Sequence, residues 1–165
     1  MRWPYYTSVT LHVLAAMLWL GGMLFLGAVG APALRAVEPP ALRARLFAEI
    51  GARFRGVGWA CIGVLLATGV ANLWFRGWLR WPEPAVLQRG FWQTGTGLAL
   101  GLKLAAVALM VANSAVHDFV VGPRAGRLPP GSPEAVRVRT RAALMARANA
   151  LVGIGLVIAA VRLAR

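Results

Sequence analysis

Lysine and cysteine are almost missing from this chain. Of eighteen basic residues one is a lysine, and there is one cysteine, with two histidines and five acidic side chains. The lone Cys61 excludes an internal disulfide and any multi-cysteine metal site, and its place in an apolar run marks it as a small buried residue. Long polar segments are missing too, so no part outside the apolar runs can form a domain with its own core. What the chain does have is apolar sequence: 59% hydrophobic residues over 165, with a mean hydropathy of +0.65.

A hydrocarbon core about 30 Å thick needs about 20 apolar residues per helix. Four stretches meet this, giving helices expected near residues 6–31, 57–75, 96–116 and 133–163. The first is too long for the apolar part of a signal peptide and lacks a clear cleavage site, so it reads as a retained helix. Pro32 marks its end. Glu38-Pro39-Pro40 then reads as the start of a short helix, on which Leu42, Leu46, Ile50 and Phe54 recur every four residues with arginines between. That pattern suits a helix lying in the membrane interface. Ser132 with Pro133 is a good start for the last helix. No convincing internal repeat is evident. The expected fold is an all-α integral membrane protein, a four-helix bundle forming a single domain over residues 1–165.

A net charge of +13 invites a nucleic-acid partner, but the arginines lie in loops between apolar runs, where charge reports topology. Arg35, Arg43, Arg45, Arg53 and Arg55 flank loop 1; Arg124, Arg127, Arg137, Arg139, Arg141 and Arg147 flank loop 3. Against these eleven, the other side carries six: Arg2, Arg76, Arg80, Arg89, Arg162 and Arg165. Loops 1 and 3 are therefore expected in the cytoplasm and both termini outside, in the inner membrane of a prokaryote. The partner is the lipid bilayer, not nucleic acid. Trp74, Trp78, Trp81 and Trp92, with Trp3, Tyr5 and Tyr6, form an aromatic belt on the outer face. Gly97 and Gly101 make a small-residue face suited to close helix contact.

Against this apolar background the polar residues stand out. Lys103 lies inside the third run, where even low estimates put the cost of a lysine at about 2.5–3.5 kcal/mol. His12 lies in the first. With both helices running inward, both residues sit roughly 10 Å below the outer boundary, whereas His117 is about 20 Å deeper than Lys103. His12 and Lys103 are thus expected to share a site, with Thr68 and Asn72 completing its polar shell. Asn113 and His117, four residues apart on one helix face, would form a second cluster with Asp118, which Arg124, Arg147 and Asn149 could join. Two plain structural roles compete with the functional reading. His12 can simply hydrogen-bond a neighbouring helix, and Lys103 can snorkel toward the headgroups.

A neutral imidazole is a good axial ligand for haem iron, and a deprotonated lysine amine can be another. Arg2, Arg76, Arg80 and Arg89 at the outer edge could pair with haem propionates. Copper would favour several His, Met or Cys residues together, and Met17, Met23 and Met110 form no close pair with His12 by spacing. A proton relay or a carboxylate-binding role also stays open.

The segment from Leu11-His12 through Trp19-Leu20-Gly21-Gly22 to Pro32-Ala33-Leu34-Arg35 resembles the first helix of the copper resistance protein D (CopD) family. Leu102-Lys103-Leu104 looks like that family's membrane lysine. The pairing of a helix-1 histidine with a helix-3 lysine is also similar to the HemJ-type protoporphyrinogen oxidases, although residues 117–124 depart from that pattern. The resemblance implies His12 and Lys103 as cofactor or metal residues. The function expected is a haem b-binding, electron-transfer membrane protein, with a quinone or other redox partner and a homodimer as open possibilities. The alternatives are a copper-handling membrane protein and a structural or assembly subunit.

Overall fold

A computed structural model describes residues 3–129 and 131–163. Nearly all of it is four long helices: α1 (Trp3–Arg35), α2 (Pro40–Phe75), α3 (Gly95–Arg127) and α4 (Pro133–Leu163). No strand occurs among the described residues. Each helix contains a window long and apolar enough to cross a membrane. The protein is therefore an all-α integral membrane protein built on four spans.

Leu14, Met17 and Leu18 on α1, Leu102 and Leu109 on α3, and Leu151 on α4 are all exposed on the helix surfaces. Lipid solvates such side chains, so the bundle does not need to bury them. Helix association in lipid rests on close packing of small residues and on interhelical hydrogen bonds. The buried set fits that rule: Ala15, Cys61, Ile62, Met110, Ala135 and Val138, with the polar Ser8, Thr68, Ser114 and Asn149. Cys61 is buried, as its sequence setting implies.

Two helices are longer than their apolar runs, for a shared reason. Proline has no N–H and its ring crowds the preceding turn, so Pro32 reads as a helix stop, and Pro123 has the same chemistry. In the structure each lies just beyond a wide turn of π-helix, Leu26–Gly30 in α1 and His117–Val121 in α3. There the N–H of Ala31 bonds to Leu26 O, and that of Gly122 to His117 O. The extra residue in the turn makes room for the ring, and the helix continues past it. The loop-1 helix is also not separate. It starts at Pro40 as expected, but nothing between residues 41 and 75 removes a backbone donor, and it runs unbroken into the second span.

These features recur at a constant spacing of 91 residues. Leu26–Gly30 and His117–Val121, Pro32 and Pro123, and His12 and Lys103 are all related by it. The contacts between helices repeat as well. In the α1–α2 hairpin Trp19 lies against Gly58, and Gly22 receives the Phe54 ring. In the α3–α4 hairpin the matching residues are Met110 with Asn149, and Asn113 with Met145. There Asn149 donates to the Met110 carbonyl at 3.3 Å, and Asn113 donates to the Met145 carbonyl at 2.9 Å. The chain is thus two hairpins of one construction. The sequence conceals this, because along α1 and α3 the matching residues are identical only at scattered places such as Leu11/Leu102, Ala15/Ala106, Leu18/Leu109 and Pro32/Pro123.

The loop between α2 and α3 is ordered by aromatics. Trp78 and Phe91 meet edge to face with centroids 5.4 Å apart, Phe91 and Trp92 do the same at 5.4 Å, and the Trp92 indole donates to Val86 O at 3.0 Å. Thr94 caps α3 by accepting from the Gly97 N–H at 3.0 Å. Gly97 and Gly101 therefore face this loop and not another helix. A Cβ on Gly97 would collide with the Phe91 carbonyl, and one on Gly101 would touch the Trp92 ring at 3.5 Å.

Candidate functional site

Ser8 and His12 are four residues apart on α1, and so share one helix face. Both meet Thr68 on α2, with Asn72 one turn further along that helix. The His12 ring places Nδ1 2.8 Å from Thr68 Oγ1. The Thr68 hydroxyl has one proton, and it is directed to the Val64 carbonyl at 2.6 Å, the usual bond of a threonine inside a helix. A carbonyl can only accept, so the hydroxyl accepts from His12. The imidazole is consequently fixed with its proton on Nδ1 and a lone pair on Nε2. Ser8 Oγ adds a longer bond of 3.4 Å to the Thr68 carbonyl. One turn further along α2, the Asn72 Oδ1 is buried without a partner among the described residues. It is an acceptor available to a cation or a proton donor.

Lys103 lies at the matching position of the second hairpin. Its side chain is exposed on the surface of α3. The structure therefore brings His12 and Thr68 together directly, with Ser8 beside them, and shows no direct bond from either to Asn72 or Lys103 among the described residues. Arg76 ends α2 and lies over the Trp78 ring, 5.3 Å from its centroid. Arg80 is exposed and lays its side chain along Gly77, with Cδ 3.7 Å from where a Cβ would stand. Arg2 lies outside the described residues. Ser8 escaped the sequence reading, although its place four residues before His12 was the signal for it.

The expected second cluster divides in two. Asn113 turns toward α4, where it donates to Asn149 Oδ1 at 2.8 Å, while Asn149 donates to Ser114 Oγ at 2.7 Å. Asp118 turns toward α2. Its carboxylate accepts from the Trp59 indole at 3.0 Å and lies 2.7 Å from His117 Nδ1, while its carbonyl accepts from Arg55 at 3.3 Å. Five residues of helix separate Asn113 from Asp118, about 140° around the axis, so the two face different neighbours. Arg124 joins neither group; it pairs with Glu134 at 2.7 Å.

No group of three or more His, Cys, Asp or Glu side chains poised for a metal occurs among the described residues. Two imidazoles among the described residues are oriented through Nδ1, His12 by Thr68 at 2.8 Å and His117 by Asp118 at 2.7 Å, and of these His12 lies in the site expected from the sequence. An oriented imidazole of this kind is how proteins prepare a histidine ligand, because the bond at the other ring nitrogen sets tautomer and direction.

Residues 48–163 match the family model of copper resistance protein D. That match takes in Thr68, Asn72 and Lys103 and begins after His12. An uncharacterized protein of Aquifex aeolicus (strain VF5) is 33% identical over 116 residues, covering 70% of this chain and 68% of the relative. No solved structure matches. The chain belongs to the copper resistance protein D family of membrane proteins.

Proposed function

We propose that this protein handles copper within the membrane, with His12 as the metal-facing residue and Lys103 as its companion. The observation that carries the reading is the fixed imidazole: Nδ1–H held by Thr68 and Nε2 left with its lone pair. Imidazole nitrogen is a good donor to copper, and the family match supplies the link to that metal. One imidazole is an incomplete ligand set. A deprotonated Lys103 amine and the Asn72 carbonyl oxygen are the further donors this part of the chain offers. Copper here is cargo, taken by the outer half of the bundle, with both termini on the non-cytoplasmic side of the inner membrane.

Haem b is the second reading. The same Nε2 suits an axial position on haem iron, and Arg76 and Arg80 lie at the same end of α2. The family match favours copper. One preparation in mild detergent separates the two. Stoichiometric copper by elemental analysis, lost in His12→Ala and with no Soret band, is the expected result. A Soret band abolished by His12→Ala would transfer the site to haem. A colourless protein that takes up no Cu(I) would overturn both.

A further inference from the structure

Between the end of α3 and the start of α4 lies a cavity of about 400 Å³, remote from His12 and at the opposite end of the bundle. Glu134, Arg137, Val138 and Arg141 line it from one stripe of α4, spaced i, i+3, i+4 and i+7. From α3 come Val120 and Arg124. Its one carboxylate, Glu134, is engaged by Arg124 at 2.7 Å. Arg137 and Arg141 are exposed and line the cavity as a like-charged pair at i,i+4, an arrangement that weakens a helix.

A bias of arginine toward cytoplasmic loops accounts for arginine in this region but not for its place in a cavity wall. The repeat supplies an internal comparison. Displaced by 91 residues, Arg124, Arg137 and Arg141 become Ala33, Leu46 and Ile50, while Val120 and Val138 become Val29 and Phe47. The same hairpin is thus built in α1–α2 with apolar residues at the three arginine positions, so its construction does not demand the charges. The single reversal runs the other way, since Glu134 corresponds to Arg43, which bonds the Arg35 carbonyl at 3.1 Å and pairs with Glu38 at 3.5 Å.

We propose that this cavity binds the phosphate headgroup of an anionic phospholipid. Guanidinium groups match phosphate oxygens in geometry as well as charge. The Val120 and Val138 walls are apolar and suit the start of an acyl chain, which a free phosphate does not have. Basic pockets between membrane helices are a recognised means of holding such headgroups.

The test uses the full chain in detergent, with lipid retention read by native mass spectrometry and thermal unfolding followed in parallel. The variant is Arg137→Leu with Arg141→Ile, which installs the residues the first hairpin tolerates at the same places; Arg139→Gln, outside the cavity, is the charge control. Phosphatidylglycerol should be retained and should raise the unfolding temperature of the wild type and of R139Q, while phosphatidylcholine does neither. The double variant should lose about thirtyfold in retention, from two arginine contacts. Equal retention by wild type and double variant would overturn the proposal, as would equal retention of the two lipids by the wild type, which can be read even if the variant does not fold. Stabilisation of the wild type by inorganic phosphate to the same extent as by phosphatidylglycerol would reassign the cavity to a free anion.

Discussion

The His12 ring donates to Thr68 Oγ1 across 2.8 Å, and the Thr68 hydroxyl in turn donates a hydrogen bond to Val64 O at 2.6 Å. Thr68 therefore determines which imidazole nitrogen keeps its lone pair. Replacing it with valine keeps the shape and removes the acceptor, so the ring can turn over or shift its proton. Loss of such a partner behind a metal-binding histidine costs about 10–100-fold in affinity. Cu(I) titration against a competing chelator should show that loss in Thr68→Val and its recovery in Thr68→Ser. A valine variant with wild-type affinity would mean that Thr68 does not govern the site.

Asn149 is the polar pin of the second hairpin. It is buried, donates to Ser114 and to Met110 O, and accepts from Asn113. Asn149→Leu keeps the volume but leaves the partners to find other bonds within lipid or protein. Interhelical hydrogen bonds in membranes are worth about 0.6 kcal/mol on average and about 1.7 at most, so a loss of about 1–2 kcal/mol is expected from this multiple contact. Reversible denaturation in mixed micelles should report it as a lower midpoint. The equivalent Gly58 forms no such bonds, so Gly58→Ala, with a new methyl at an ordinary 3.5 Å from the Trp19 ring, should change the midpoint far less.

Hydropathy made the four spans legible, because about 20 apolar residues in a row have few other uses. It could not set their ends. Pro32 and Pro123 are stops only in a regular α-helix, and the π turns before them leave no mark in hydropathy. The meeting of His12 and Thr68 was legible from depth alone, since helices running through a slab of fixed thickness bring residues of equal depth together. The proposed Asn113 and Asp118 grouping was not: depth brought them together, but rotation about α3 separates them. The repeat was hidden because lipid-facing positions accept any apolar residue, so the two hairpins kept their geometry while most of their matching residues diverged.

Gly97 and Gly101 look interchangeable in sequence, and the structure separates them. A methyl on Gly97 would strike the backbone carbonyl of Phe91, which cannot move without shifting the loop that holds Trp78, Phe91 and Trp92. A methyl on Gly101 would rest on the Trp92 ring at 3.5 Å, an ordinary contact. Overpacking against an unyielding neighbour costs about 1–3 kcal/mol. Gly97→Ala should therefore lower the unfolding midpoint and shift tryptophan emission to the red. Gly101→Ala should be neutral or slightly stabilising, since alanine also suits a helix better than glycine. Equal effects at the two positions would show that the loop does not seat on α3 as described.

Asp118 ties α2 to α3 through the Trp59 indole at 3.0 Å and the Arg55 contact with its carbonyl at 3.3 Å. Removing the carboxylate leaves the indole N–H and His117 without their acceptor. Asp118→Ala should destabilise by about 1–3 kcal/mol, the usual cost of stranding a buried donor. Trp59→Phe removes the donor as well, and the ring can still stack on Phe119, whose centroid is 5.4 Å from that of Trp59. The double variant should then lose less than the sum of the single losses, by about 0.5 kcal/mol or more, as residues in direct contact do. Strict additivity across this cycle would show that the carboxylate and the indole do not interact in the folded protein, and the polar link of α2 to α3 would rest on the Arg55 bond, beside the Trp59–Phe119 stack.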